Sequence, residues 1–372
     1  MELARPIRWL VLAAPVALAA AGALGQPTPT GVVLAAQPSR APTPQPPVER
    51  SCRADAASPG TPAGAAWYRL DPILDASGTL VGRRLTVGRG ASRWSVALPP
   101  ESFASGPSEG LVLVGDDDGG RSRLRTLDTA RGCWTAVGTS SDVVRSAVLA
   151  PGGARVYEHR VDRASRRDLG VWVRELGADG AAVELLAGLP ADPAFGPTFT
   201  TSLLAADDGR VVVSSCGERA CRTRVVDPRT GRSSAASGTG PAVGIAGQRL
   251  VVLEACGGLP CAVDSVDLAT GAATPLDAAE GFGAIVPGSS GAVVVAARGG
   301  LGVLRLGDGA SEADVPGSSG LAPVIPASTA ESGAEAPTGL IAVAPGGRVA
   351  DPAAVRLLDP SSLQLSAFEV IP

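Results

Sequence analysis

Few side chains in this chain can do chemistry, and their spacing narrows what that chemistry could be. The six cysteines fall as Cys52, Cys133 and two tandem pairs, Cys216/Cys221 and Cys256/Cys261, each pair bracketing four residues. Residues opposed across a strand reversal have α-carbons about 5.5 Å apart, within disulfide range. The spacing therefore predicts bridges within each tandem pair and leaves Cys52 to pair with Cys133. A zinc site built from the two pairs is the competing reading. It fits less well, because structural zinc sites of this kind are typical of reduced proteins, whereas an exported chain meets an oxidising compartment. The thiols lack a CxxC motif and have no adjacent lysine or histidine to lower a pKa, which argues against a redox role.

Proton-transfer groups are scarce. The chain has no lysine and one histidine, His159, which excludes Schiff-base chemistry and multi-histidine metal centres. Asp116, Asp117 and Asp118, followed by Gly119 and Gly120, offer oxygens to calcium, the one cofactor the sequence suggests. They lack the spaced carboxylates and closing glutamate of an EF-hand loop, so a polar turn is the plainer reading. Arg163, Arg166 and Arg167, with Arg219 and Arg298, fall in loops that the strand pattern places at one end of the fold, beside His159. Arginine forks suit carboxylates, sulfates and acidic glycans, so these residues form a candidate binding face. A solvated loop is the plainer reading there too, and His159 also reads as a satisfied structural residue in an alternating strand. No nucleophile elbow or phosphate-binding loop is present, and no catalytic residue is assigned.

The elements that must position these groups are repeats. Residues 211–231 and 251–271 share one pattern, a valine run, a cysteine pair and an Asp-x-x-Thr-Gly turn, and Val211/Val251, Cys216/Cys256 and Gly231/Gly271 are all 40 apart. A period of about 40–45 residues suits a four-stranded propeller blade. Short Val/Leu-rich runs bounded by Gly, Asp and Ser extend the pattern over most of residues 65–372. They predict an all-β propeller of seven blades, with six or eight also open because the first unit is weakly marked. A ring leaves only short protected sheet edges, whereas a linear stack leaves open ones. Residues 327–338 are expected to form an exposed insertion ahead of the last unit's first strand. The Asp-x-x-Thr-Gly turns at Asp227 and Asp267 resemble those of bacterial propeller repeats of the WD40-like, TolB-like and quinoprotein-like kinds. The resemblance implies a fold and no activity.

Residues 1–25 combine a basic start, with Arg5 and Arg8, and an uncharged apolar run over residues 9–25, which describes a secretory signal peptide or an uncleaved membrane anchor. Residues 26–50, rich in Pro, Thr and Ala, read as a disordered linker, leaving 51–372 as the propeller domain. The net charge of −4 argues against nucleic-acid or anionic-membrane binding. The expected protein is a secreted or surface-tethered monomer, a non-enzymatic module for an envelope protein or a glycan. The alternative is a propeller hydrolase, lyase or lactonase using carboxylates, with or without calcium. It ranks second because the expected inner stretches 145–150, 198–205, 242–246 and 283–286 hold no carboxylate.

Overall fold

Val- and Leu-rich runs separated by Gly and Asp turns cannot bury an apolar face alone, and in a computed structural model of the chain they stack as radial sheets. The structure describes residues 64–368, apart from 90–91, 151, 177–180, 189–199, 206–209, 218–220, 237–241, 247–248, 254–262, 269, 276–280, 286–291, 298–299, 306–310, 325–331 and 336–339. The expected signal segment and linker, Cys52, Cys256, Cys261, Arg219 and Arg298 lie outside the described residues.

The described strands form seven four-stranded antiparallel sheets, the blades of a β-propeller. Five blades take four successive strands each, ordered from the inner strand outward. Blade two holds β4 (Phe103–Ser108), β5 (Leu111–Asp117), β6 (Ser122–Asp128) and β7 (Trp134–Ser140). Blade three holds β8 (Val143–Leu149), β9 (Arg155–Val161), β10 (Asp168–Glu175) and β11 (Val183–Leu186). Blade four runs from β12 (Thr200–Ala205) through β13 (Val211–Cys216) and β14 (Cys221–Val226) to β15 (Ser233–Ala236). Blades five and six repeat the order from inner strands β16 (Ala242–Ala246) and β20 (Gly281–Ile285).

The remaining two blades exchange a strand. Blade one has β1 (Ala66–Leu74), β2 (Leu80–Arg89) and β3 (Ser92–Leu98), but its inner strand is β25 (Ser332–Ala334). Blade seven is β24 (Leu321–Pro323), β26 (Ile341–Pro345), β27 (Arg356–Asp359) and β28 (Gln364–Ala367). The chain therefore leaves blade seven after its inner strand, closes blade one with Trp67 opposite Ala334 and Arg69 opposite Ser332, and returns. Over the described residues this corrects the expectation of an exposed insertion at 327–338: Ser332, Gly333 and Ala334 are buried, while 327–331 and 336–338 lie outside the described residues. Gly333 fits because a Cβ there would stand 2.4 Å from the Gly106 carbonyl oxygen and 2.5 Å from the Tyr68 ring. The Glu335 amide donates to the Ala66 carbonyl at 2.7 Å, and its carboxylate accepts from the Gly110 amide at 3.0 Å, fixing the clasp to blades one and two.

Strand alternation sends one set of side chains to each neighbouring blade. Tyr68, Leu85 and Val87 of blade one pack with Ala104, Val112, Val114 and Leu127 of blade two. Leu113 and Leu124 meet Ala147, Leu149 and Val156 of blade three, whose Tyr157 and Val171 meet Leu203, Val211 and Val213 of blade four. Each fully buried aliphatic side chain contributes about 1.5–3 kcal/mol. Hydroxyls stitch the inner strands together: Ser105 Oγ donates to Ala147 O at 2.8 Å, and Ser146 Oγ to Thr201 O at 3.1 Å.

The turns between third and fourth strands explain the repeated Asp and Gly. The Asp128, Asp227 and Asp267 carbonyls each accept from the amide of Gly132, Gly231 and Gly271 at 2.8 Å, and these glycines have φ of +66°, +66° and +73°. That left-handed conformation is open to glycine without a Cβ penalty. In the last blade Asp359 caps the turn through Ser361 and Ser362, and Leu363 takes the left-handed place at φ +58°.

Cys216 and Cys221 stand opposite one another at the end of β13 and β14, with Cα atoms 4.0 Å apart, and form a disulfide. Cys133 is also disulfide-bonded. The Cys216–Cys221 loop is short, so the entropy it removes from the unfolded chain is worth about 2 kcal/mol. Replacing both with serine should lower urea-unfolding stability by that amount without changing the β-rich circular dichroism.

Candidate binding face on blades two and three

The turn 118–121, the link 141–142 and the loop 162–167 lie at one end of blades two and three. Arg163 reaches from its loop to blade two, donating to Asp117 Oδ1 and Oδ2 at 2.9 and 2.7 Å and to Ser141 O at 3.0 Å. Expected as part of a cationic surface, Arg163 instead has its charge matched by a carboxylate. Arg166 and Arg167 are exposed, and Arg166 holds a left-handed φ of +60°.

The three consecutive aspartates serve three different purposes. Asp116 is 3% exposed and accepts from Arg123 Nε at 2.7 Å and Arg125 Nη2 at 2.5 Å, while Arg125 stacks 4.6 Å from the Trp134 ring centre. Asp117 takes Arg163, Ser122 Oγ at 2.6 Å and the Gly119 amide. Asp118 caps its own turn, accepting from the Gly120 and Arg121 amides at 3.0 and 2.8 Å. Among the described residues no three His, Cys, Asp or Glu side chains are grouped to hold a metal ion.

His159 is 3% exposed and sits on the face of β9 shared with Tyr157, turned toward blade four rather than toward the loops. Its Nε2 lies 2.9 Å from Asp168 Oδ1, which also accepts from the Gly170 amide at 2.8 Å. The opposite face of β9 carries Glu158 and Arg160, which the sequence reading passed over. Glu158 is 0% exposed, and its Oε1 accepts from Arg160 Nη2 at 2.9 Å and Arg174 Nη2 at 3.3 Å; Arg160 stacks 4.4 Å from the Trp172 ring centre. The available signal was period two: Glu158 and Arg160 share a strand face with the core residue Val156.

A second residue passed over is Arg145. On β8, Val144 pairs with Arg160 and Ser146 with His159, so Arg145 is the extra residue of a bulge, and it is exposed. It is the one ionisable side chain in all seven inner strands.

The Asp117 carboxyl is held well below the usual carboxylate range, first by the Arg163 hydrogen bonds and then by Ser122 and the Gly119 amide, against the opposing effect of partial burial. A carboxylate more acidic in the folded than in the unfolded chain contributes stability that is present above about pH 4 and is lost as the pH falls through its folded value. Arg163→Gln should therefore leave a shallower acid limb below pH 4, read as melting temperature against pH. An unchanged acid limb would show that Arg163 does not control Asp117.

No protein-family model matches the chain, and no curated protein matches it. Among solved structures it is similar to TolB from Acinetobacter baumannii, with 13% identity, 66% of this chain and 62% of that chain covered, and a TM-score of 0.45. It is similar also to an uncharacterized protein from Listeria monocytogenes, with 12% identity, 71% and 81% covered, and a TM-score of 0.46. Oligopeptidase B from Leishmania major shows 11% identity, 82% and 49% covered, and a TM-score of 0.44. The chain thus spans less than two thirds of that TolB and about half of the oligopeptidase. The neighbours include the TolB kind named from the sequence, and the resemblance is one of fold alone. The propeller assignment rests on the seven sheets and their closure.

Proposed function

We propose that the chain is an exported binding propeller that holds an envelope protein or an acidic glycan through one face and does not turn over a substrate. The observation that carries this reading is the make-up of the described inner strands, which supply apolar and hydroxyl side chains and a single charge, Arg145. General acid–base chemistry needs a titratable group within hydrogen-bond reach of substrate, and strands of this composition offer none near neutral pH. The aspartates of the loop face are engaged by arginines and turn amides, which supports reading them as scaffold rather than as calcium ligands. Export is supported by the Cys216–Cys221 disulfide, since such bonds persist in oxidising compartments. No helix among the described residues is long and apolar enough to cross a membrane.

The test is a thermal-shift screen of the oxidised full chain against calcium, other metal ions, acidic peptides and acidic glycans, run beside assays for ester, lactone and glycoside cleavage. A ligand at a hundred times its dissociation constant adds about 2.7 kcal/mol. Saturable stabilisation by an anionic ligand without turnover is expected. Turnover that is lost with a carboxylate variant, or stabilisation by calcium alone, would move the protein to the hydrolase, lyase or lactonase reading.

A further inference from the structure

Arg145 stands out once every charge near it is traced. Its strand has no other open direction: one face of β8 packs on blade two through Val144, Ala147 and Leu149, the other on blade four through Val148, and one edge is paired with β9. Arg145 is exposed on this innermost strand, two residues from its start at Val143, and so is open to solvent near the centre of the ring. The bulge makes this possible, because its extra residue is released from the in–out alternation of the ladder.

Five of the surrounding arginines are matched by carboxylates. Arg123 and Arg125 meet Asp116, Arg163 meets Asp117, and Arg160 and Arg174 meet Glu158. Arg145 makes no ion pair or side-chain hydrogen bond among the described residues, and no inner strand brings it a carboxylate. Arg166 and Arg167 are likewise exposed without an ion pair among the described residues, at the same end of the same blade, since Val161 pairs with both Val143 and Asp168. Among the described residues, Arg145, Arg166 and Arg167 are therefore exposed cations without an ion pair at this end of the blade, with Arg121 of the 118–121 turn a fourth and Asp162 acting on Arg167 from within the loop.

We infer that Arg145, flanked by Arg166 and Arg167, is the anchor for a carboxylate of an acidic peptide segment on the partner. This rests on the binding reading above and specifies its ligand. A peptide is favoured over an acidic glycan because pyranose rings are usually gripped on exposed aromatic faces, and the described tryptophans are already covered. Trp67 lies under Arg93, Trp134 under Arg125 and Trp172 under Arg160, while the Trp94 ring packs onto Gly132. Arginine takes a carboxylate through two parallel N–H donors, which a lysine cannot reproduce.

Fluorescence anisotropy with labelled hexaglutamate and hexaglutamine, using the oxidised full chain, tests the inference. Hexaglutamate should bind with an affinity that falls with salt, and hexaglutamine should not. Arg145→Gln should weaken hexaglutamate at least tenfold, and Arg145→Lys should recover only part of that loss. Arg166→Gln with Arg167→Gln should cost a few-fold and flatten the salt dependence, all with unchanged melting temperatures because the three side chains are exposed. Wild-type affinity in Arg145→Gln would place the anion elsewhere and overturn the site while leaving the binding reading intact. No binding of hexaglutamate to the wild type would overturn the peptide assignment. If an oligogalacturonate then bound in an Arg145-dependent way, the ligand would be a glycan. The binding reading itself falls only on turnover in the preceding screen.

Discussion

Replacing Glu158 with alanine should lower the unfolding free energy by about 3–5 kcal/mol, the range for removing one partner from a buried ion cluster. The carboxylate is wholly enclosed, and the two guanidinium groups it serves, Arg160 and Arg174, have side chains only 9% exposed. Without it, two largely buried guanidinium groups between blades two and three lose their nearest carboxylate, Arg160 keeping Asp142 at 3.9 Å, and burial of a poorly compensated charge is far more costly than loss of one hydrogen bond. Against a typical total of about 5–15 kcal/mol this is a large fraction. Urea unfolding at neutral pH measures it directly. A loss under about 1 kcal/mol, the range of an exposed pair, would mean that water reaches the arginines. Replacing Glu158, Arg160 and Arg174 together by apolar residues should cost much less than Glu158→Ala, because it removes the charges that the single change strands.

Gly333→Val should be comparably damaging for a steric reason. Even the first carbon of a side chain would meet the Gly106 carbonyl oxygen and the Tyr68 ring inside van der Waals distance, and backbone cannot move aside as a flexible side chain can. Overpacking commonly costs about 1–3 kcal/mol, and contact with main chain places this case at the upper end or beyond. The displaced strand would leave the edge of β1 from Trp67 to Arg69 without its partner, so amide exchange there should rise together with a fall in melting temperature. An exposed strand edge also pairs with other chains, so size-exclusion chromatography should show association on mild heating. A variant that melts with the parent and keeps its β1 protection would show that β25 does not hold the ring shut.

Much of the framework could be read from residue spacing. The repeat at 211–231 and 251–271 located two blades and the Cys216–Cys221 bridge, because a four-residue gap at a strand reversal leaves cysteines few other partners. The glycine of each Asp-x-x-Thr-Gly turn was legible for the same local reason, a left-handed residue at a fixed place. The clasp was not legible. Ser332-Gly333-Ala334 has neither apolar alternation nor β-branched residues, and it is a strand because blades one and two enclose it. The loop face was half legible. Arg163, Arg166 and Arg167 fall in the loop after β9 that the strand pattern anticipates, Arg219 and Arg298 lie outside the described residues, and the pairing of Arg163 depends on a contact between blades that no single strand encodes. A run such as Asp116-Asp117 hides this further, because neighbours in a strand point to opposite faces and so meet different blades. Arg145 was missed because a bulge is set by the register of its neighbour, a property of the pair of strands.

The exchanged strand also imposes a timetable. A chain made from its amino end can finish blades two to six one after another, each quartet complete as it emerges. Blade one waits with three strands until residue 334 arrives, after blades two to six have been made. Its bare edge is thus the oldest unfinished surface, and early exposed edges are where nascent β proteins associate wrongly. A stop before Ser332 would give an open arc with a sticky end, not a smaller propeller. The last three strands of blade seven follow the clasp, so they can be laid onto a ring that has already closed.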